Sequence, residues 1–290
     1  MRKKSISELD KLFLEVGTYR KSEEFKKLIE FAKKFPQIAP YNAMLIHIQK
    51  PGSQYVASAS EWLRRFNRRI RPGARPLVIL RPFGPVAYVF ELLDTYGNDP
   101  FPKKLLNPFN PEGILPEKTF KRLTNNLKCD GILYSEADRG SSSAGFIQIS
   151  DSTKLMKIDK KNKEIWVKVL YDMVVNRSHS LETRFATILH ELGHIYCGHL
   201  GSPNPQWWED RRFLDIYERE FEAESICWLV CERIRIKNPS AEYLSGYLKK
   251  YEEIPKISID SVLKAVAIIE SMINNTKDVR KDIITNTYDL

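Results

Sequence analysis

The chain has 290 residues, 42% of them hydrophobic, a net charge of +9 and four cysteines. That length allows one large domain or two smaller ones. No run of 18 apolar residues is present to span a bilayer, and the opening "MRKKSISELDKLFLEV" lacks an uninterrupted signal-peptide core and a cleavage site, so a cytoplasmic protein without membrane contact is expected.

The charge is uneven. Residues 1–95 hold 18 lysines and arginines against 9 acidic residues, whereas residues 96–290 hold 28 against 28. An excess confined to one part of a chain points to a nucleic-acid or acidic-partner surface there. The cysteines (Cys129, Cys197, Cys227, Cys231) form no CxxC pair, so reduced thiols are expected.

In chain order, "SISELDKLFLEV" opens with a capping box at Ser5 and Glu8 and reads as an amphipathic helix. "SEEFKKLIEFAKKF" repeats apolar residues at helical spacing until Pro36, and "YNAMLIHIQKPG" is a third apolar segment stopped by Pro51-Gly52. Asn42 fits either a cap or a backbone-ordering role. "ASEWLRRFNRRI" reads as a short basic helix on which Arg64, Arg65, Arg68 and Arg69 share one face, with Arg71 and Arg75 flanking the next turn. Trp62 and Phe66, spaced i, i+4, suit its core face, and Tyr55, beside the Pro-Gly turn, suits base stacking. Arginines that grip phosphates and aromatics that stack bases are the ingredients of single-strand binding. "ARPLVILRP" and "VAYVFELLD" read as strands.

Five prolines between residues 96 and 117 mark a linker. Beyond it come a helix, "EKTFKRLTNNLKCDG", and three strands, "FIQIS", "KLMKID" and "EIWVKVL". "GSSSAG" is neither a nucleophile elbow nor a phosphate loop and reads as a loop. Two further helices follow, "LETRFATILHELGHIY" and a long "WWEDRRFLDIYEREFEAESICWLVCERIRI", and the tail is helical through "AEYLSGYLKKY" and "SVLKAVAIIESMI".

His190, Glu191 and His194 form HExxH. Spacing i, i+4 on a helix turns both imidazoles to one side, where they can hold one zinc ion, and Glu191 is placed to take a proton from water as general base. The motif alone also arises by chance on a charged helix; its apolar setting and the carboxylates downstream argue otherwise. His199 is one register off the HExxHxxGxxH pattern, so the third ligand is sought in "EREFEAES". Glu220 and Glu224 share a face there, with Ala223, Cys227 and Cys231 as a small-residue stripe beside them. Glu220 is read as the ligand and Glu224 as the acceptor that orients a ligand histidine; Glu224 as ligand is the alternative. Glu218 and Glu222 fall on the opposite side and read as solvated. Tyr196, His199, Tyr217 and His179 are the candidates to steady an oxyanion, and "FIQIS" the candidate edge strand for a substrate.

"LETRFATILHELGHIYCGHLG" followed by "EREFEAES" resembles the ImmA/IrrE-type zinc metallopeptidases, with Glu224 where their pattern has Asn or Asp. "YNAMLIHIQKPGSQYVASASEWLRRFNRRIRPGARPLVILRP", "YVFELLDTYG" and the helical tail resemble ArdC-like antirestriction proteins, except that "RPGARP" lacks their acidic turn residue. The resemblance implies an α+β protein: a small N-terminal α+β single-stranded-DNA-binding domain over residues 1–105, the linker at 106–117, and a zincin-like metallopeptidase domain over 118–290, in which the active-site helix packs on a small mixed sheet and the C-terminus is helical. It further implies a peptidase acting on a cytosolic protein substrate, of which transcriptional repressors are one class. The competing readings are a DNA-binding antirestriction protein whose zincin domain is structural, and a module whose basic face meets an acidic protein.

Overall fold

A computed structural model describes residues 25, 28–29, 31–32, 35, 37–50, 53–81, 84–97, 101, 113–138, 144–151, 154–160, 163–236, 244 and 253–285. The first expected helix, the greater part of the linker, the first four residues of "GSSSAG" and nearly all of "AEYLSGYLKKY" lie outside them; Gly145, expected in that loop, opens a strand instead. Within them the chain is a mixed α+β protein with six helices and small sheets.

The N-terminal part begins with α1 (Pro40–Gln49), a helix with Pro40 in its first turn, where the missing N–H costs nothing. Strand β1 (Val56–Ala57) leads to α2 (Ala59–Phe66), and β2 (Arg69–Ile70), β3 (Leu77–Arg81), β4 (Gly84–Glu91) and β5 (Thr95–Tyr96) follow. They form a three-stranded sheet in the order β1-β4-β3 and a separate β2-β5 ribbon. Asn42 proves to be a backbone-ordering residue. Its amide donates to the Leu80 carbonyl and accepts from the Leu80 N–H, both at 2.9 Å, and Gln49 does the same for Val78 at 2.8 Å. Two side-chain amides on one face of α1 thus satisfy the free edge of β3, which would otherwise invite another strand.

Helix α2 is shorter than the sequence suggested. Ser58 and Glu61 close a capping box at its start, and Asn67 ends it in the left-handed region at φ 50°. Arg68 then turns inward, donating from Nε to the Thr95 hydroxyl at 2.8 Å, and Arg69 enters β2. The four arginines therefore do not share one helical face: only Arg64 and Arg65 lie on α2. The cause is local, because β2 pairs with β5 and that pairing replaces another helical turn.

The second part runs α3 (Glu117–Leu127), β6 (Ile132–Ala137), β7 (Gly145–Ile149), β8 (Leu155–Lys160), β9 (Lys163–Lys168), β10 (Tyr171–Asn176), α4 (Leu181–Tyr196), α5 (Ile216–Arg233), α6 (Ile259–Ile273) and β11 (Ile284–Thr285). Strands β6 and β10 were not read from the sequence. They form the parallel pair of a mixed sheet ordered β6-β10-β7, with β7 antiparallel on β10. Among the described residues β7 has a neighbour on one side only. The β8–β9 hairpin and β11 make the other sheet.

Helix α5 is also shorter than its apolar pattern. Residues 207–215 form turns, and Asp215 and Glu218 make the capping box that starts the helix at Ile216. One hydrophobic core runs through α1, β3, β4, α3, the β6–β10 pair, α4, α5 and α6. Arg233, nearly inaccessible, fastens Ala32, Phe35 and Ile38 to it: its guanidinium donates to their carbonyls at 2.9, 3.1 and 2.9 Å and pairs with Glu270.

Candidate metal centre

Helix α4 starts where the Ser180 hydroxyl accepts the Thr183 N–H at 3.2 Å and buries Phe185, Ile188, Leu189, Leu192 and Ile195. Burying a side chain of this size contributes about 1.5–3 kcal/mol, so that apolar face anchors the helix and leaves the polar one to face α5. The two helices meet where both are smallest. A Cβ on Gly193 would lie 2.9 Å from the Ala223 Cα, closer than real Cβ atoms come. One turn further along α5, Cys227 donates from its thiol to the Ala186 carbonyl at 3.3 Å. The small-residue stripe of α5 is what lets histidines of one helix reach glutamates of the other.

His190, His194 and Glu220 converge, each offering a ligand atom within 4.8 Å of the others. The two Nε2 atoms are 3.1 Å apart; Glu220 lies 3.4 Å from His190 Nε2 and 3.5 Å from His194 Nε2. Two ligands about 2.0–2.1 Å from a tetrahedral zinc stand roughly 3.3 Å apart, so the three fit one ion. The outward ring nitrogens fit as well: His190 Nδ1 faces Glu224 at 3.3 Å, and His194 Nδ1 faces His199 Nδ1 at 2.9 Å. A carboxylate behind one ring and an imidazole nitrogen behind the other are groups able to accept from a metal-bound histidine and keep its lone pair turned toward the ion.

The electrostatics point the same way. Burial opposes a charge on His190, yet its hydrogen bonds to Glu220 and Glu224 outweigh it and push the pKa up to about 10. Burial, then the charges of His190 and His199, take His194 down to about 4. The hydrogen bond to His190, with both ligand histidines nearby, lowers Glu220. The carboxylates of Glu220 and Glu224 thus favour a positive charge at this point. Glu191, half-buried one residue on, is raised by burial, with the Glu220 charge adding to it and His190 and the Ile147 N–H of β7 opposing.

Behind His194 lies a layer that the sequence reading missed. His199 and Glu222 are both buried, and His199 Nε2 lies 2.9 Å from Glu222 Oε2. Arg211 grips both carboxylate oxygens, at 2.7 and 2.6 Å, and the Ser258 N–H donates to Oε1 at 2.7 Å. Glu222 was expected on a solvated face. It does point away from Glu220, but α5 is packed between α4 and α6, so that side is also interior. Glu218 serves the capping box. Of the oxyanion candidates, Tyr196 donates to buried Asp130 at 2.7 Å, His199 belongs to the layer behind the site, His179 lies 3.5 Å from the Asn176 amide, and Tyr217, one turn before Glu220, is exposed.

In the N-terminal part, Tyr55, expected to stack bases, is buried among Trp62, Phe66 and Phe101, with ring centroids 5.0–5.4 Å away. Trp62 is core and donates its indole N–H to the Phe90 carbonyl at 2.8 Å. Arg64, Arg65, Arg69, Arg71 and Arg75 are exposed and Arg68 is half-buried. Among the described residues there, the exposed aromatics are Tyr88 and Tyr96, and Tyr96 stands opposite Arg69 in the β2–β5 ribbon.

Residues 151–241, less than a third of the chain, match the family model Peptidase_M78, described as the IrrE N-terminal-like domain. The matched span carries β8 to β10, α4 and α5, and so the whole His190, His194 and Glu220 set. This part of the chain is similar to that domain, and its His190, His194 and Glu220 could hold a metal, zinc by the donor set. No curated protein and no solved structure matches the chain significantly. No helix among the described residues is long and apolar enough to cross a membrane.

Proposed function

We propose that the chain is a zinc-dependent metallo-endopeptidase acting on a cytosolic protein, a regulator being the class that the resemblance suggests. The observation that carries this reading is the convergence of two imidazole nitrogens and a carboxylate, with a hydrogen-bonding partner behind each ring. His190, His194 and Glu220 would hold the ion. Zinc in such a site supplies Lewis acidity, which makes water more acidic and a carbonyl more electrophilic.

The chain's own residues supply the rest. Glu191 is the general base and then the proton carrier: its carboxylate, raised by burial, binds a proton more readily than an exposed one and can release it to a leaving amine. Its neighbour Ile147 belongs to β7, and a substrate segment laid along the open side of that strand would bring a peptide carbonyl past Glu191. Glu224 keeps the His190 proton on Nδ1.

The test pairs metal analysis with cleavage. Wild type should hold one zinc per chain. Glu191→Gln should keep that zinc and lose about 10²–10⁴-fold in the rate of cleavage of a regulator substrate. A variant as active as wild type on every candidate substrate would favour the structural-zincin reading instead.

A second activity, binding of single-stranded DNA by the N-terminal part, is favoured by the cross-strand Arg69–Tyr96 pair and by the exposure of Arg64, Arg65, Arg71 and Arg75 in the same part of the chain. A guanidinium group suits a phosphate and a ring suits a base, the two contacts that single-strand binding uses. Affinity for oligonucleotides across a salt series decides it: each phosphate neutralised steepens the log–log slope by roughly 0.7, and a flat response would leave an acidic protein as the partner of that face.

A further inference from the structure

Both proposed ligand histidines need a proton on Nδ1, so that Nε2 presents a lone pair. His190 hands that proton directly to Glu224. His194 has no carboxylate at its Nδ1; it has another imidazole. We propose that His199 and Glu222 form a buried two-step relay that fixes the tautomer and orientation of His194 as a metal ligand. The proposal rests on the metal-site reading above and deepens it.

The hydrogen bonds close in one way. With His194 donating from Nδ1, His199 must accept at its own Nδ1, 2.9 Å away. The single proton of neutral His199 then sits on Nε2 and points at Glu222 Oε2, also at 2.9 Å. Glu222 must stay ionised to accept it, and Arg211 provides the compensating charge through both Nη atoms. Reversing the first link with His199 neutral sets two lone pairs face to face at Glu222, and with His199 protonated it moves the His194 proton onto Nε2, where a ligand needs a lone pair.

The backbone builds the relay. Gly198, at φ +72°, turns the chain immediately after α4 and returns His199 beneath His194, with the His199 N–H donating to the His194 carbonyl at 2.9 Å. A Cβ at position 198 would fall 1.9 Å from the Glu209 carbonyl oxygen. The same turn holds the loop that delivers Arg211, whose N–H donates to the Gly198 carbonyl at 2.9 Å. The Ser258 N–H ties Glu222 to the start of α6. Four segments of chain thus converge on one ring nitrogen of one ligand.

Cys197, His199 and Glu222 also lie close enough to hold an ion of their own. Arg211 already provides the cation at Glu222, and His199 Nδ1 is engaged by His194, so the relay reading predicts a single zinc.

The experiment is a zinc-affinity titration of the full chain against a chromophoric chelator, with the visible spectrum of the cobalt(II)-loaded protein as a second readout. His199→Ala should weaken zinc binding about 10–100-fold and alter the cobalt spectrum. His199→Gln, whose amide offers an acceptor and a donor spaced like the two ring nitrogens, should restore most of both. Should His199→Ala fail to fold, His199→Leu keeps the volume without either hydrogen bond and is expected to show the same loss. Wild-type affinity in whichever apolar variant folds overturns the relay, as does a glutamine variant no better than the apolar one, or a second tightly bound zinc lost with His199. A wild-type chain that binds one zinc as tightly as His199→Ala removes the relay alone; a wild-type chain that binds none removes the metal centre with it.

Discussion

The N-terminal part and the α4–α5 pair both depend on arginines and glutamates, and they use them in opposite directions. Around α2 the aromatics go inside and the arginines outside: Tyr55, Trp62 and Phe66 pack together with Phe101, while Arg64, Arg65, Arg69, Arg71 and Arg75 face solvent. Around α4 and α5 the charges themselves are interior. Glu222, Arg211 and His199 are buried, as is Asp130, which accepts from Tyr196 and pairs with Lys277 and Arg280. Outward charge costs little to keep and to change, and suits reversible contact with a partner. Inward charge is expensive unless every member is paired, and it fixes geometry. One part has the physics of a docking face, the other that of a built site.

That contrast can be broken by treating an arginine from each part in the same way. Arg211→Met leaves Glu222 buried with its counter-charge gone, and removing one member of such a pair costs about 3–5 kcal/mol. Arg64→Met removes an exposed charge and should stay within about 0.5 kcal/mol of wild type. Urea unfolding of the two variants measures both, and equal effects would erase the distinction. Gly198→Ala comes next. It places a side chain at φ +72° against the Glu209 carbonyl, and at such a position a substitution costs upward of about 1 kcal/mol. Alanine at Gly73, also at positive φ but with nothing within 4 Å of the added Cβ, should cost less. The difference in denaturation midpoint between these variants isolates the contribution of the packed turn.

What could be read from the sequence follows from the same contrast. Spacing along one helix is a local property, so i, i+4 identified His190 with His194 and Glu220 with Glu224 as pairs sharing a face. The relay depends on facts that spacing does not carry. Whether the far side of α5 is wet or dry is decided by α6, some 40 residues later in the chain. Whether His199 returns under His194 is decided by one glycine and by a loop packed on it. A signal was nonetheless present: a glutamate followed by the apolar run from Ile226 to Cys231 can fall on an interior side, where it must find a cation, and Arg211 lies just upstream. The arginine helix failed for a related reason. Its periodicity runs through Asn67, where the backbone turns left-handed because Arg69 and Ile70 pair with Thr95 and Tyr96. Strand β10 was hidden because the apolar run "EIWVKVL" was carried to Leu170, whose N–H bonds the Gly131 carbonyl before a new strand begins at Tyr171.

The smallest expected effect tests whether α2 is held mainly by its ends. Its buried anchor is Trp62, and its start is closed by Ser58 and Glu61: the Glu61 N–H reaches the Ser58 hydroxyl at 3.3 Å, and the Ser58 N–H reaches the Glu61 carboxylate at 3.0 Å. Ser58→Ala should cost about 1 kcal/mol and leave zinc affinity untouched. The hydrogen bond from the Ser58 N–H, followed by that from its hydroxyl, holds the Glu61 carboxyl below its ordinary range. A depressed pKa stabilises fully above the unfolded carboxylate value, about 4.3, and that stabilisation is lost as pH falls through the folded value. Glu61→Gln should therefore be weaker than wild type at pH 7 and converge with it in acid. Urea midpoints at both pH values check this, and a gap that persists in acid would mean that Glu61 acts through packing rather than through its charge.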